Sequence, residues 1–387
     1  MTVGWQTKKL GELLDIQNGY AFNSKAFSVE GEMPLIRIRD LKAGVDTETR
    51  YTGDYDQKYL VKAGDLLIGM DGEFGCYEWK GNHALLNQRV CRLQSFNNVL
   101  LPRFLFYGIN SYLKDIENVT GFTTVKHISS KQIVGIKFPT PPIQEQQRIV
   151  TILDEAFAGI ATATANAEKN RDYARELFDS YWHGIIANPK YEIRVLDELC
   201  SSFEYGTSSK SKSAGNVPVL RMGNIQDGRF DWSSLAYSND DDEIKKYSLK
   251  HNDVLFNRTN SPELVGKTAI YKGEMPAIFA GYLIRINRNE TLLDADYLTH
   301  FLNSSVAKAY GKTVVISSVN QANINATKLK SYPIPSPSLS EQQAIVAKLN
   351  ELSTETKKLE TIYQQKLIAL NELKKSILNQ AFSGQLQ

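Results

Sequence analysis

The chain is written twice. Pro139 to Glu155 (PTPPIQEQQRIVTILDE) returns as Pro335 to Glu351 (PSPSLSEQQAIVAKLNE), with nine identities in seventeen positions at a shift of 196 residues. That period lies far outside the ~20 to 50 residues of solenoid repeats, so it describes a duplicated domain with its connector. Each copy must close a core of its own, and 387 residues allow two, at about 100 to 200 residues per domain.

Inside the globules the repeat continues more faintly. Glu32 to Gly44 (EMPLIRIRDLKAG) aligns with Asn216 to Gly228 (NVPVLRMGNIQDG), and Tyr59 to Leu67 (YLVKAGDLL) with Tyr247 to Leu255 (YSLKHNDVL). The offset drifts from 184 through 188 to 196, which puts the length changes in loops, where insertions are tolerated. Short apolar runs such as 35–39, 66–68, 219–222 and 254–256, bounded by Gly, Asp, Asn and Pro, read as strands. Arg103 to Lys114 and Asp296 to Ala309 read as helices. Each globule is expected to be α+β, without a doubly wound sheet.

After Pro142 and Pro337 helix formers run for about forty residues with hardly a glycine or proline, which predicts one long helix in each copy. In the second, Ile345, Leu349, Leu352, Thr356, Leu359, Tyr363, Lys366, Leu370, Leu373 and Ile377 step alternately by four and three, the spacing of a heptad seam. The first repeats the phase with Ile149, Leu153, Ala156, Ile160, Ala163, Ala167, Asn170, Ala174, Leu177 and Tyr181. A seam rich in Leu facing one rich in Ala suggests that the helices pair antiparallel and hold the globules at opposite ends. An aromatic cluster of Tyr173, Phe178, Tyr181 and Trp182 reads as core against the second globule.

Composition excludes several classes. Apolar residues make up 42% and charged residues 23%, as in folded soluble chains. Neither a signal-type leader nor a bilayer-length apolar stretch is present, so a cytoplasmic location is expected. Cys76, Cys91 and Cys200 contain no C-x-x-C pair. With His83 between the first two they still lack zinc spacing. The net charge is +2, with 17 basic against 15 acidic residues in 1–138, 4 against 7 in 139–189, and 18 against 16 in 190–334. Such a balance leaves nucleic-acid binding to local patches.

Motifs for chemistry fail on inspection. Asn188-Pro189-Lys190-Tyr191 has lysine where an amino-methyltransferase motif needs a second proline. Gly266-Lys267-Thr268 and Gly311-Lys312-Thr313 lack the opening glycine of a phosphate loop, with Ser261 and Val306 in its place. Glu372-Leu373-Lys374 matches half of a nuclease motif but fits a solvated helix face. No catalytic residue and no metal site are expected.

The paired EQQRIV and EQQAIV segments, the closing LKKSILNQAFSGQL (Leu373 to Leu386) and FNRTNSPELVGK (Phe256 to Lys267) resemble the specificity subunits of type I restriction-modification systems, over essentially the whole chain. The resemblance implies a non-catalytic DNA-reading subunit. Its two target-recognition domains would be 1–141 and 189–337, joined by spacer helices 142–188 and 338–387 in a duplicated, pseudo-two-fold dumbbell with a coiled-coil spacer. Each domain would read half of a bipartite, asymmetric site in double-stranded DNA. The helices would set the spacing and dock two methyltransferase subunits, with restriction subunits as further partners. The resemblance places S-adenosylmethionine, ATP and Mg in those partners and no cofactor in this chain. A coiled-coil scaffold with protein-binding globules is the competing reading. A stand-alone restriction-methylation enzyme is a third, opposed by the missing motifs.

Base readers are sought among side chains that pair bidentately with base edges, Arg with guanine and Asn or Gln with adenine. In the second globule Asn257, Arg258, Thr259 and Asn260 follow directly on an apolar strand and form the leading candidate. Lys210, Lys212, Arg221, Asn224, Asn320 and Asn323 accompany them. In the first globule the candidates are Tyr20, Asn23, Lys25, Arg37, Arg39, Asn87, Gln88 and Arg89. Arg37 and Arg221 recur at one aligned position, which favours contact with the DNA backbone. Between Leu67 and Gly81 lie 13 residues, against 17 between Leu255 and Gly273. Unequal loops predict unequal half-sites. The acidic run Asp240 to Glu243 would repel phosphate and is expected on a face turned away from DNA.

Overall fold

The computed structural model describes residues 5–120, 126–318 and 321–386. It divides into two compact units, Met1–Asn166 with Leu367–Gln387 and Ala167–Lys366. The four consecutive segments expected above therefore regroup. Each long helix, Ile143–Ile186 and Leu339–Ser383, contributes one half to each unit.

In the first unit a four-stranded antiparallel sheet runs in the order Asp15–Asn18, Val90–Gln94, Leu66–Gly69, Gly75–Glu78. The helix Pro102–Val119 covers one face of it with Phe104, Leu105, Ile109 and Leu113, all fully buried. A second sheet, of five short strands, places Met33–Ile36 parallel to Ala84–Leu86. A two-stranded ladder pairs Gln6–Lys9 with Lys137–Thr140, tying the start of the globule to the strand that feeds the long helix.

The second unit repeats this order with Cys200–Tyr205, Leu283–Arg288, Val254–Asn257 and Thr268–Ile270. Val217–Leu220 runs parallel to Ile278–Phe279, and Ile193–Val195 pairs with Pro333–Pro335. Its covering helix is broken into Ala295–Asn303 and Ser305–Val314 because Ser304 turns out of the helix and its Oγ caps the Ala307 amide at 3.2 Å.

Two polar devices recur in both copies. Gln146, the middle glutamine of the first repeat, is fully buried; its amide donates to Val99 O and Pro141 O and accepts from Leu101 N, at 2.8 to 2.9 Å. Gln342 makes the same three bonds to Leu292 O, Pro337 O and Asp294 N. A buried carboxamide is stable only with its partners, so each helix start is pinned to the entry of its globule's covering helix. The second device is a largely enclosed arginine in the sheet. Arg92 pairs with Asp65 at 2.9 Å and Arg285 with Asp253 at 3.3 Å. Each aspartate also accepts the amide three residues before it, from Lys62 or Lys250. Sequence reasoning passed over both arginines, although the repeat carries them.

The long helices meet within each unit. In the first, Ile149, Val150, Leu153 and Ala381 share one core, Phe382 lies 4.9 Å from Phe104, and Arg148 donates to Leu386 O at 2.7 Å. In the second, Trp182, Ile185, Ile345 and Leu349 share a core with Tyr297 and Phe301, and Thr356 Oγ1 donates to Ala174 O at 3.2 Å. Trp182 is the enclosed member of the aromatic cluster, whereas Tyr173 is exposed.

The heptad reading needs correction. Asn170, Leu177, Lys366 and Leu373 are exposed, and the stripe passes instead through the less exposed Arg171, Phe178 and Leu367, while Leu370 keeps its place in the seam. Ile149 to Ile185 and Ile345 to Ala381, buried pairs, are each thirty-six residues apart, ten turns of a straight helix at ~3.6 residues per turn. A strict seven-residue repeat lags such a helix by ~20° per heptad, so after three heptads the seam lags by ~60°, over half of one residue's ~100°, and after five by a full residue. The runs 35–39 and 219–222 also end early as strands, because Arg37 and Arg221 each turn into a short 3-10 helix.

Replacing Gln146 or Gln342 by Ala is expected to destabilise the protein by about 3 kcal/mol, since three buried backbone groups lose their partner at once. Urea unfolding measures it, and a change below about 0.5 kcal/mol would contradict the pinning role.

Candidate nucleic-acid interface

The four-stranded sheet of each unit ends in the same cluster of loops, and a glycine sets how closely they meet. A Cβ on Gly19 would stand 2.1 Å from Asn87 O, and one on Gly206 2.1 Å from Phe279 O. Only glycine permits this approach. The next residues then bridge in parallel, Tyr20 with Asn87 and Thr207 with Ala280.

Further bonds fix the correspondence between copies. Met70 N donates to Arg89 O where Arg258 N donates to Tyr282 O, both at 3.0 Å. Ile128 N donates to Met70 O, and Ile324 N to Arg258 O. Met70 therefore matches Arg258, Arg89 matches Tyr282, Asp71 matches Thr259, and His127 matches Asn323. The backbones agree and the side chains do not.

In the first unit Arg37, Arg39, Asn87, Gln88 and Arg89 converge with Phe27, Ile38 and Val90 on one cleft of about 290 Å³. Arg37, Arg39, Gln88 and Arg89 are exposed. Arg39 donates to Thr49 Oγ1 at 3.3 Å. Asn87, which lines the cleft, accepts Gln88 N on its Oδ1 at 2.9 Å. Arg89 Nε lies 3.2 Å from Asp71 Oδ2, and His127 Nδ1 lies 2.6 Å from Asp71 Oδ1. Tyr20 stands beside this cleft, its exposed ring 5.1 Å from Phe22 and 5.2 Å from Tyr59. Asn23 caps a short turn by accepting Lys25 N, and Lys25 remains exposed on the loop that leads to Phe27.

In the second unit the cluster centres on Arg258. Its Nε donates to Gly281 O at 2.9 Å and its guanidinium lies 4.8 Å from the centre of the Tyr205 ring. Tyr205 and Tyr282 are exposed aromatics flanking it. The Tyr205 hydroxyl accepts Ala326 N at 2.9 Å, which holds the ring. Arg221 is exposed at the end of its strand, next to Leu220, whose carbonyl accepts Ala280 N. Lys210 and Lys212 are exposed on the loop after Thr207.

Several candidates serve the fold instead. Asn224 is 4% exposed; it caps Arg221 N and donates to Asp231 O and Ser234 O. Asn257 is fully enclosed, and Thr259 is buried and accepts from Asn323 Nδ2 at 2.7 Å. As placed, these side chains do not reach a base edge. The strand Val254–Asn257 is buried at every position, and Thr259 and Asn260 pair with the strand of Ala322 and Asn323, a contact remote in sequence that the hydropathy of one segment does not reveal. Asn260 is half-buried and pairs with Ala322, and Asn320 lies outside the described residues. Glu243 of the acidic run does not face away from this region. It accepts from Thr207 and Ser238, and hydrogen bonds from Ser209 and Thr207 hold its carboxyl below the usual range. It braces the loop that carries Lys210.

Other sequence features resolve as structural. Cys76 and Cys91 flank Ile68 across the sheet; burial raises both thiols, Cys91 to about 12. Asn188 closes a turn by accepting Lys190 N. Tyr20 and Arg89 were legible as residue types. Asp71, His127, Tyr205 and Tyr282 were missed, since each belongs to a segment remote from the arginine it serves.

Asn224→Ala is expected to lose about 2 kcal/mol of stability, because it strips two carbonyls and one amide of a buried partner. Arg221→Ala should stay within about 0.5 kcal/mol. Paired thermal and urea unfolding would show the contrast, and equal losses would refute the assignment.

The family model described as type I restriction modification DNA specificity domain matches residues 2–170 and 188–369, one match per copy. The chain is 27% identical over 415 aligned positions to the Type I restriction enzyme EcoBI specificity subunit of Escherichia coli, covering 99% of this chain and 86% of that protein. A chain from a structure concerned with complex assembly and conformational transition of the type I R-M system superposes with a TM-score of 0.73 at 18% identity, over 100% and 99% of the two chains. The HsdS subunit of Thermoanaerobacter tengcongensis gives 0.58 at 17%, over 100% and 98%. At these identities the superpositions speak for the fold alone.

Proposed function

This chain belongs to the type I restriction-modification DNA specificity family, and on that premise we propose that its two loop clusters each read one half of a bipartite site in double-stranded DNA. It is the recognition subunit of a type I restriction-modification complex and not an enzyme. One observation supports the division of labour most directly. A single backbone arrangement, matched bond for bond, carries Arg89, Asp71 and His127 in one copy and Tyr282, Thr259 and Asn323 in the other. Two readers of one design with different side chains suit an asymmetric target. Base contacts supply the specificity, and the exposed Arg37, Arg221, Lys25, Lys210 and Lys212 suit phosphate contacts that fix register.

The remaining partners follow from the family. Methyltransferase subunits bring S-adenosylmethionine and methylate adenine, and restriction subunits bring ATP and Mg; the long helices dock the former. The helices of 44 and 45 residues extend ~65 Å at ~1.5 Å per residue and act as the ruler between half-sites. Once one half-site is held, the second reader binds at high effective concentration only if its target lies at the matching distance.

Two measurements test this. DNA binding by the complex should weaken steeply with salt, by a slope of ~0.9 per phosphate neutralised; a flat response would favour the protein-binding scaffold. Inserting seven residues into each long helix should lengthen the gap between half-sites by ~3 base pairs, from ~10 Å of added helix at ~3.4 Å per pair. Long-read methylation mapping of cells that express the variant with its methyltransferase subunits reads the gap, and an unchanged gap rules out the ruler.

A further inference from the structure

Each loop cluster contains one arginine engaged on its Nε edge alone, by an ion pair in the first unit and a hydrogen bond in the second. In the first unit Arg89 Nε is met by Asp71 Oδ2 at 3.2 Å, and Asp71 is fixed on its other oxygen by His127 at 2.6 Å. In the second, Arg258 Nε is met by Gly281 O at 2.9 Å, and the guanidinium plane lies over Tyr205 at 4.8 Å. Among the described residues no acceptor meets the Nη groups of either. A guanidinium has five N–H donors in a rigid fork. With Nε turned to its partner, paired with Asp71 in Arg89 and hydrogen-bonded to Gly281 O in Arg258, the Nη1 and Nη2 donors remain as a parallel pair, the set that matches guanine O6 and N7 in the major groove. Clamping Nε also removes rotamer freedom before binding, which lowers the entropic cost of the contact.

Resting on the reading of the two clusters as half-site readers, we propose that Arg89 and Arg258 are the guanine-reading forks of the first and second half-site. Asp71 with His127 and Tyr205 are their positioning residues. The forks are not equivalent residues. Arg89 occupies the place of Tyr282, and Arg258 the place of Met70, across one backbone hydrogen bond in each copy. The fork has changed strands between copies, so the guanine should occupy a different place in each half-site relative to the shared scaffold. The second copy carries no carboxylate at Asp71's position, where Thr259 stands, and the Gly281 carbonyl with the Tyr205 ring replaces it.

The test uses the full chain expressed with its methyltransferase subunits, with every methylated site mapped by long-read sequencing. Variants are Arg89→Lys, Asp71→Asn, His127→Ala, His127→Asn, Arg258→Lys and Tyr205→Ala, each first shown to keep the wild-type unfolding midpoint. The wild-type motif should contain a guanine in both halves. Arg89→Lys and Asp71→Asn should relax discrimination at one guanine of one half by roughly 5- to 150-fold, the range for a bidentate pair. The other half and the gap should stay as they were. Arg258→Lys and Tyr205→Ala should do the same in the opposite half alone. His127→Ala should relax the Arg89 position and His127→Asn restore it, since an amide still donates to Asp71. A half-site without guanine overturns the assignment for that head. Equal relaxation of both halves, or lower methylation with an unchanged motif, overturns the forks altogether. Absence of any sequence-selective methylation by the wild-type complex would instead refute the half-site reading on which they rest.

Discussion

A carboxamide sealed from water has to find its partners inside the protein, and the rest of this architecture is arranged around two that do. Gln146 and Gln342 each bind the end of one loop and the entry of the globule's covering helix. The long helix thus begins at a defined point and angle on its own globule. The ladders Gln6–Lys9 with Lys137–Thr140 and Ile193–Val195 with Pro333–Pro335 hold the preceding strand in the same place. A joint made of hydrogen bonds is directional, unlike one of apolar packing alone.

The sheet beneath the loop clusters is held by equally local polar contacts. Arg92 with Asp65, and Arg285 with Asp253, are largely enclosed and bind backbone carbonyls as well. These arginines are spent on the scaffold. Arg89 and Arg258 stand at the loop end of the same sheets, held on one edge only. The difference lies in what surrounds each side chain, since the residue type is the same. Gly19 and Gly206 allow the loops to crowd together, and side chains from four separate segments then share one small surface.

Duplication with later divergence explains why the two surfaces differ while the frame does not. The bonds Met70 to Arg89 and Arg258 to Tyr282 involve only the main chain, so side chains there were free to change. The largely enclosed ion pairs of the sheet kept their residues, Asp65 matching Asp253 and Arg92 matching Arg285. The frame does vary in places, as where Ser304 breaks the covering helix of the second copy and where the second sheets differ in strand number.

Much of the scaffold was legible in the residues, because periodicity and repetition are properties of the chain itself. The two long helices, the α+β globules and the matched anchors followed from apolar spacing, proline punctuation and a 196-residue shift. The seam was read with a period slightly too short, since a heptad and a straight helix differ by a fraction of a residue per turn, and that error passed half a residue by Asn170 and Lys366. Side-chain roles were the other gap. Asn224, Asn257 and Thr259 have the right chemistry for bases and lie inside the fold, while Asp71, His127 and Tyr205 carried no local signal. Residue type and order decided what the chain could build; only tertiary structure decided which polar groups stay in water, because burial and partnership arise when segments distant in sequence meet.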